Sequence, residues 1–218
     1  TENPVTTCPK VPEQSNDAGQ CGANVSFSFF SPTDNCPITT SQSATNGPGD
    51  FYPVGTTTVT VTATDASGNE DQCTFDIVVN DTEDPNMVCN NFNVNLTGAS
   101  TTITSSQVDG GSTDNCGIVS LQANPNTFNC STLGAQTVTL TGTDAAGNSS
   151  SCTATVTVID DNTPTAVCNT PTSVNLTSAG TTSVAASFFD GGSSAVCGGV
   201  TFSASQTDFD CNDVGNTI

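Results

Sequence analysis

Histidine and tryptophan are absent from this 218-residue chain, tyrosine occurs once, as Tyr52, and Lys10 is the one basic residue. Without histidine there is no Ser–His–Asp triad, no imidazole acid–base pair and no histidine-held metal. One cation against 21 acidic residues gives a formal charge of −20, which excludes an ordinary basic surface for DNA, RNA or an anionic membrane. No apolar run approaches the roughly 18 residues a spanning helix needs, so no membrane insertion is expected in this segment. Cysteines never fall in the tight Cys-x₂₋₄-Cys pairs of a zinc site; the nearest neighbours are 13 residues apart. Paired carboxylates are numerous by composition alone, and none is flanked by a readable aromatic-lined pocket. No catalytic residue is assigned, and the chain reads as non-enzymatic.

What is present is cysteine, turn residues and repetition. Eleven cysteines at regular spacing in an acidic, lysine-poor chain indicate disulfides in an oxidising, extracellular place. Residues 56–81 (TTTVTVTATDASGNEDQCTFDIVVND) return as 136–160 (QTVTLTGTDAAGNSSSCTATVTVID). Cys73 recurs as Cys152, 79 residues on, and Thr33-Asp34-Asn35-Cys36 as Thr113-Asp114-Asn115-Cys116, 80 residues on. Cys8 recurs as Cys89 and Cys168, and Cys116 and Cys130 as Cys197 and Cys211. Three repeats follow: 1–81, 82–161, and 162–218, the last expected to lack its final two strands. The odd cysteine count and the absence of a signal peptide suit a segment of something longer. The linkers Asn80–Pro85 and Asp160–Pro164 are short, which restricts movement between repeats.

Period-two alternation marks the strands. Val59, Val61 and Ala63 face one way, and Cys73, Phe75, Ile77 and Val79 form the next inward row. Val138 and Leu140, then Cys152, Ala154, Val156 and Val158, repeat the pattern. Asp-Ala-x-Gly-Asn joins each pair as a tight hairpin turn. Further strands are expected at Val25–Phe30, Phe92–Leu96, Val119–Ala123, Val174–Thr177 and Val184–Phe189, with no helix. Seven or so short strands per repeat predict an all-β chain of tandem Ig-like β-sandwich repeats without the antibody tryptophan. The inner faces are small, and disulfides compensate. In such a sandwich the first and last strands begin at the same pole, which pairs Cys8 with Cys73 and Cys89 with Cys152. The remaining pairs would be Cys21–Cys36, Cys116–Cys130 and Cys197–Cys211, leaving Cys168 alone. Four cysteines allow three connectivities, and Cys21 and Cys36 can lie at opposite poles.

The segments Thr-Asp-Asn-Cys, Phe51-Tyr52-Pro53-Val54-Gly55-Thr56-Thr57-Thr58-Val59-Thr60 and Thr64-Asp65-Ala66-Ser67-Gly68-Asn69, ending in Cys73-Thr74-Phe75, resemble the hyalin repeat (HYR) module. The resemblance covers nearly all of repeat one, including Cys8-Pro9 and Cys21-Gly22. Repeats two and three diverge: Cys89-Asn90 and Cys168-Asn169 replace Cys-Pro, and Cys130 appears where Cys21 has no counterpart. The resemblance implies an extracellular, cell-surface module concerned with adhesion, either as a disulfide-stapled stalk or as an adhesive surface. Tandem copies rich in Thr, Asn and Asp are similar to long surface adhesins of Bacteroidota, some tied to gliding motility and exported by the type IX route. An animal matrix protein related to hyalin is the other origin implied. Expected partners are neighbouring repeats, other copies of the chain or surface glycans, although a glycan platform would want more than Tyr52.

The hard chemistry worth testing is calcium, which takes six to eight oxygen ligands. Linker residues Asp81, Glu83 and Asp84, loop residues Asp114 and Asn115, and turn residues Asp144 and Asn148 should converge at one pole of repeat two. Repeat three would offer Asp160 and Asp161. The alternative is that these side chains only satisfy backbone N–H groups of their own turns.

Overall fold

The computed structural model describes residues 2–35, 46–169 and 173–215. In chain order the strands are β1 (Gln14–Ser15), β2 (Gly22–Asn24), β3 (Phe51–Pro53), β4 (Gly55–Thr64), β5 (Glu70–Asn80), β6 (Phe92–Asn95), β7 (Ser100–Thr102), β8 (Ile118–Asn124), β9 (Thr127–Asn129), β10 (Gly134–Asp144), β11 (Ser149–Ile159), β12 (Thr181–Ser183) and β13 (Asp208–Asp210). One helical turn, α1 (Ser105–Val108), and two 3₁₀ turns, Cys130–Thr132 and Ala186–Phe189, are the helical pieces among the described residues. The architecture is all-β and Ig-like. The sheets run β1-β5-β4, β6-β11-β10-β8, β2-β3, β7-β9 and β12-β13.

Two compact units are distinguished, Thr1–Cys89 with Asp109–Ala123 and Thr139–Thr153, and Asn90–Val108 with Asn124–Val138 and Ala154–Ile218. In the first, β4 and β5 form an antiparallel hairpin from Gly55↔Val79 to Thr64↔Glu70. Its inward residues Val59, Val61, Ile77 and Val79 pack against Ala23 of β2, Val25 and Tyr52 of β3, with Phe27, Phe29, Phe75 and Cys73 at the margin. Two sheets thus enclose one core. Phe27 meets Phe75 and Phe29 edge-on, at centroid distances of 5.2 and 5.4 Å. This aromatic cluster fills the space between the sheets that valine and threonine alone would leave. In the second unit β6 runs parallel to β11, Phe92↔Val156 to Asn95↔Ile159. That is the same parallel relation as β1 to β5, Gln14↔Val79. Leu96, Ile103, Val108, Phe128, Val156 and Val158 are buried there.

The hairpin turn is built alike in both long hairpins. The Asp65 amide donates to the Asn69 carbonyl, and the Asp144 amide to that of Asn148. Gly68 and Gly147 take φ of 86° and 98°, the left-handed conformation that an L side chain would strain.

Three expected strands differ. At Val25–Phe30 no ladder runs among the described residues; Val25 bonds to Gly49 and Asp50, and the chain then turns Phe27 inward. Val174–Thr177 leads into a turn, in which the Gly180 amide donates to the Thr177 carbonyl. Val184–Phe189 contains a 3₁₀ turn instead, with Phe188 N–H donating to the Ala185 carbonyl and the two phenyl rings edge-to-face at 5.5 Å. A short apolar run fits either period, and here local turn bonding prevails.

Candidate metal centre and its flanking disulfide

Asp81 follows directly on β5, Asp114 sits in the loop before β8, and Asp144 closes β10 at the hairpin turn. One carboxylate oxygen from each lies within 4.8 Å of the others. Asp81 and Asp144 are 7% and 2% exposed, and Asp114 is half-buried. Each is oriented by its own turn. Asp114 Oδ1 accepts from the Cys116 and Gly117 amides at 2.9 and 2.8 Å. Asp144 Oδ1 accepts from the Gly147 and Asn148 amides at 2.7 and 2.8 Å, and its Oδ2 from Asn148 Nδ2 at 2.8 Å. Burial pushes the Asp144 carboxyl up, but the Asn148 side chain and the amides of Gly147, Asn148 and Ala146 outweigh it and hold the group below the usual range.

The second oxygens carry the chemistry. Asp81 Oδ2, Asp114 Oδ2 and Asn115 Oδ1 are buried and have no hydrogen-bond partner. Asn115 Nδ2 donates to Asp81 Oδ1 at 3.1 Å and to the Gln20 carbonyl at 3.0 Å, and Asn148 Nδ2 reaches the Asp81 carbonyl at 3.2 Å. The turn-forming role is therefore real but uses only half of each donor set at Asp81 and Asp114. Buried carboxylate oxygens left unpaired are costly, and a cluster of hard oxygen donors suits a divalent metal ion. Beside the cluster an open cleft of about 500 Å³ is lined by Gly19, Glu83, Asp84, Asn86, Thr113, Asp114 and Asn115, with room for water ligands.

Other expected ligands are placed differently. Glu83 turns to the Gly19 amide, at 2.9 and 3.1 Å, and to Asn16 Nδ2. Asp84 lines the cleft. Asp160 accepts from Asn162, whose side chain holds its carboxyl below the usual range. Asp161 accepts from Asn95 Nδ2 at 2.9 Å. Gln20 and Gly19, which secure Asn115 and Glu83, act through backbone atoms and leave no signal in residue type.

The disulfides correct part of the expected connectivity. Cys8 is bonded to Cys73 and Cys89 to Cys152. Cys21, however, is bonded to Cys116 and not to Cys36, which lies outside the described residues. Cys130 is bonded to Cys197, so the pairs Cys116–Cys130 and Cys197–Cys211 do not form; Cys168 and Cys211 are free and exposed. Cys116 follows Asn115, whose amide is tied to Gln20, and this brings Cys116 to within a Cα distance of 4.8 Å of Cys21. Cys116 and Cys130 belong to different compact units. The one available signal was the register mismatch itself: Cys21 lacks a counterpart in the second repeat and Cys130 in the first.

Residues 1–79 match the HYR domain model. Hyalin from Strongylocentrotus purpuratus is 35% identical over 178 residues, covering 75% of this chain and 14% of hyalin, and hyalin from Lytechinus variegatus is 32% identical over 176 residues, covering 75% and 32%. The chain thus spans a minor part of either relative. A Rattus norvegicus protein described as sushi, von Willebrand factor type A, EGF and pentraxin domain-containing protein 1 is 34% identical over 86 residues, 38% of this chain and 2% of its own. Among solved structures, protocadherin gammaB7 EC3-6 aligns at 17% identity over 82% of this chain and 55% of its own, with a TM-score of 0.35. The chain carries an Ig-fold, HYR-like module related to hyalin.

Proposed function

We propose that this chain is part of an extracellular, cell-surface repeat array with a structural, adhesive role, in which calcium and disulfides together fix one repeat to the next. The repeats would be 1–81, 82–161 and 162–218, and the carboxylates of Asp81, Asp114 and Asp144 would hold the ion at the first junction. The observation that carries the reading is the set of buried, unpartnered oxygens at Asp81, Asp114 and Asn115. Calcium is favoured because every donor is a hard oxygen, and because its flexible coordination at about 2.3–2.6 Å accepts carboxylates, amide carbonyls and water together. Bound there, the ion would supply the positive charge that lets three carboxylates share one buried corner.

A stalk or adhesive surface follows from short linkers and covalent staples. The hyalin relatives support the animal-matrix origin over the Bacteroidota, gliding-motility one. A glycan platform lacks support: Tyr52 is fully buried, with its hydroxyl on the Gly47 carbonyl. Titration calorimetry of the chain with calcium, and with magnesium as control, tests the proposal. Saturable heat with calcium at one site per junction is expected. No heat at millimolar calcium would return these acids to a turn-forming role.

A further inference from the structure

Three short antiparallel ladders share one register. Gly22↔Pro53, Ala23↔Tyr52 and Asn24↔Phe51 pair in β2–β3. Ser100↔Asn129, Thr101↔Phe128 and Thr102↔Thr127 pair in β7–β9. Thr181↔Asp210, Thr182↔Phe209 and Ser183↔Asp208 pair in β12–β13. The central aromatic, Tyr52, Phe128 or Phe209, is buried in each. A cysteine adjoins the same end of every ladder. Cys21 precedes the first strand, with its carbonyl bonded to the Val54 amide across the ladder. Cys130 and Cys211 instead follow the second strand, directly after Asn129 and Asp210.

Two of the three ladder-end sulfurs are bonded, and both to the same loop position. Cys21 takes Cys116 and Cys130 takes Cys197, and each of those cysteines precedes a glycine of positive φ, Gly117 or Gly198. The sulfur has changed strands between repeats and kept its end of the ladder and its type of target. Cys211 stands third in this series. It is exposed, with its Sγ–H directed to the Gly180 carbonyl at 3.6 Å, and Gly180 has no side chain to cover it. Cys168, the other free thiol, belongs to a different series: its equivalents Cys8 and Cys89 pair with Cys73 and Cys152 in β5 and β11.

We propose that Cys211 is the outgoing half of a third such staple, forming a disulfide with a cysteine of another HYR-type module at the position held here by Cys116 and Cys197. Two thiols lose two protons and two electrons as the S–S bond forms. The electrons reduce the disulfide of an oxidised dithiol donor, through a mixed disulfide that the second thiolate resolves. The chemistry is the same whether the module lies in the same polypeptide or in a second one. This inference needs no metal, so it stands or falls apart from calcium binding.

The test is peptide mapping of the protein as purified from its native source, with its thiols blocked and digested without reductant. The Cys211 peptide is expected joined to a module loop cysteine in register with Cys116 and Cys197. Non-reducing against reducing gels then separate a bond within one chain from a bond between chains. Alkylated Cys211, a Cys168–Cys211 bond, a small-thiol adduct or a partner of unrelated sequence would each overturn the proposal. A variant probes the ladder-end rule inside this chain. In A99C/C130S the sulfur moves to the strand that bears Cys21 in the first repeat, and mapping should find the introduced thiol bonded to Cys197. Free Cys197 in a folded A99C/C130S chain would defeat the rule and the inference with it.

Discussion

Asp114→Asn separates the two roles open to the acidic cluster, because it changes charge while keeping shape. The turn needs only Oδ1, which accepts from the Cys116 and Gly117 amides, and an asparagine carbonyl accepts equally well. A turn former would therefore lose little, within about 0.5 kcal/mol of wild type. The charge matters far more. Carboxylate oxygens within 4.8 Å of one another repel by about 3.5 kcal/mol per fully ionised pair at an effective dielectric of about 20. Removing one of three charges deletes two of the three pairs, a ceiling of about 7 kcal/mol, which neighbouring amides and water reduce to roughly 1–3 kcal/mol.

The variant is thus expected to be more stable than wild type in chelator. In calcium the order reverses. A ligand at a thousand times its Kd adds about 4.1 kcal/mol to the state that binds it, more than the variant gains from losing the charge. For a chain of this size that is a rise in Tm of about 8–16 °C, which the variant should forgo. Thermal unfolding of both proteins, in chelator and in calcium, reads the crossing directly. Equal Tm values for the two proteins in both buffers would refute the metal reasoning and leave the acids as turn formers.

Replacing Cys21 and Cys116 together by serine should cost about 2–4 kcal/mol in denaturant unfolding, less than the roughly 4.7 of an isolated loop of about 100 residues, since Cys8–Cys73 already shortens the loop; a loss under about 1 kcal/mol would mean the staple is idle. Ile77→Ala empties a fully buried site between the two sheets and should cost about 2–5 kcal/mol by the same assay. Asp65 is held below the ordinary aspartate range by the Asn69 side chain, at 2.6 Å, and by turn amides, against the opposing effect of burial. A carboxyl lowered in the folded state contributes stability that is complete above its unfolded value of about 4 and is lost as pH falls through the folded value. Stability should therefore drop below about pH 4, and Asp65→Asn should flatten that acid limb; an unchanged limb would remove Asp65 from the cause.

The parts of this fold legible from residues alone are those in which neighbours in sequence decide the outcome. Val59, Val61 and Ala63 alternate with threonines, and the burial follows the alternation residue by residue. Asp65 and Asp144 recur with the same turn around them, so the hairpins could be placed without knowing what they face. The acidic cluster was half legible for the same reason: Asp81, Asp114 and Asp144 each sit at a recurring turn, and turns of one pole converge. Glu83 was not, because a backbone amide at Gly19 competes for it, and an amide carries no residue-type mark. The pairing of Cys21 with Cys116 was not legible either, for a deeper reason. The sequence period marks each repeat as if it were closed, whereas the ladder-end sulfur of one repeat is bonded to the loop of the next. Cysteines out of register within a repeat are, in this chain, in register across the junction. A staple requires that the sulfur emerge at the right end of a ladder, and either strand can deliver it; that freedom is why Cys21 and Cys130 look unrelated in sequence while occupying one place in the fold.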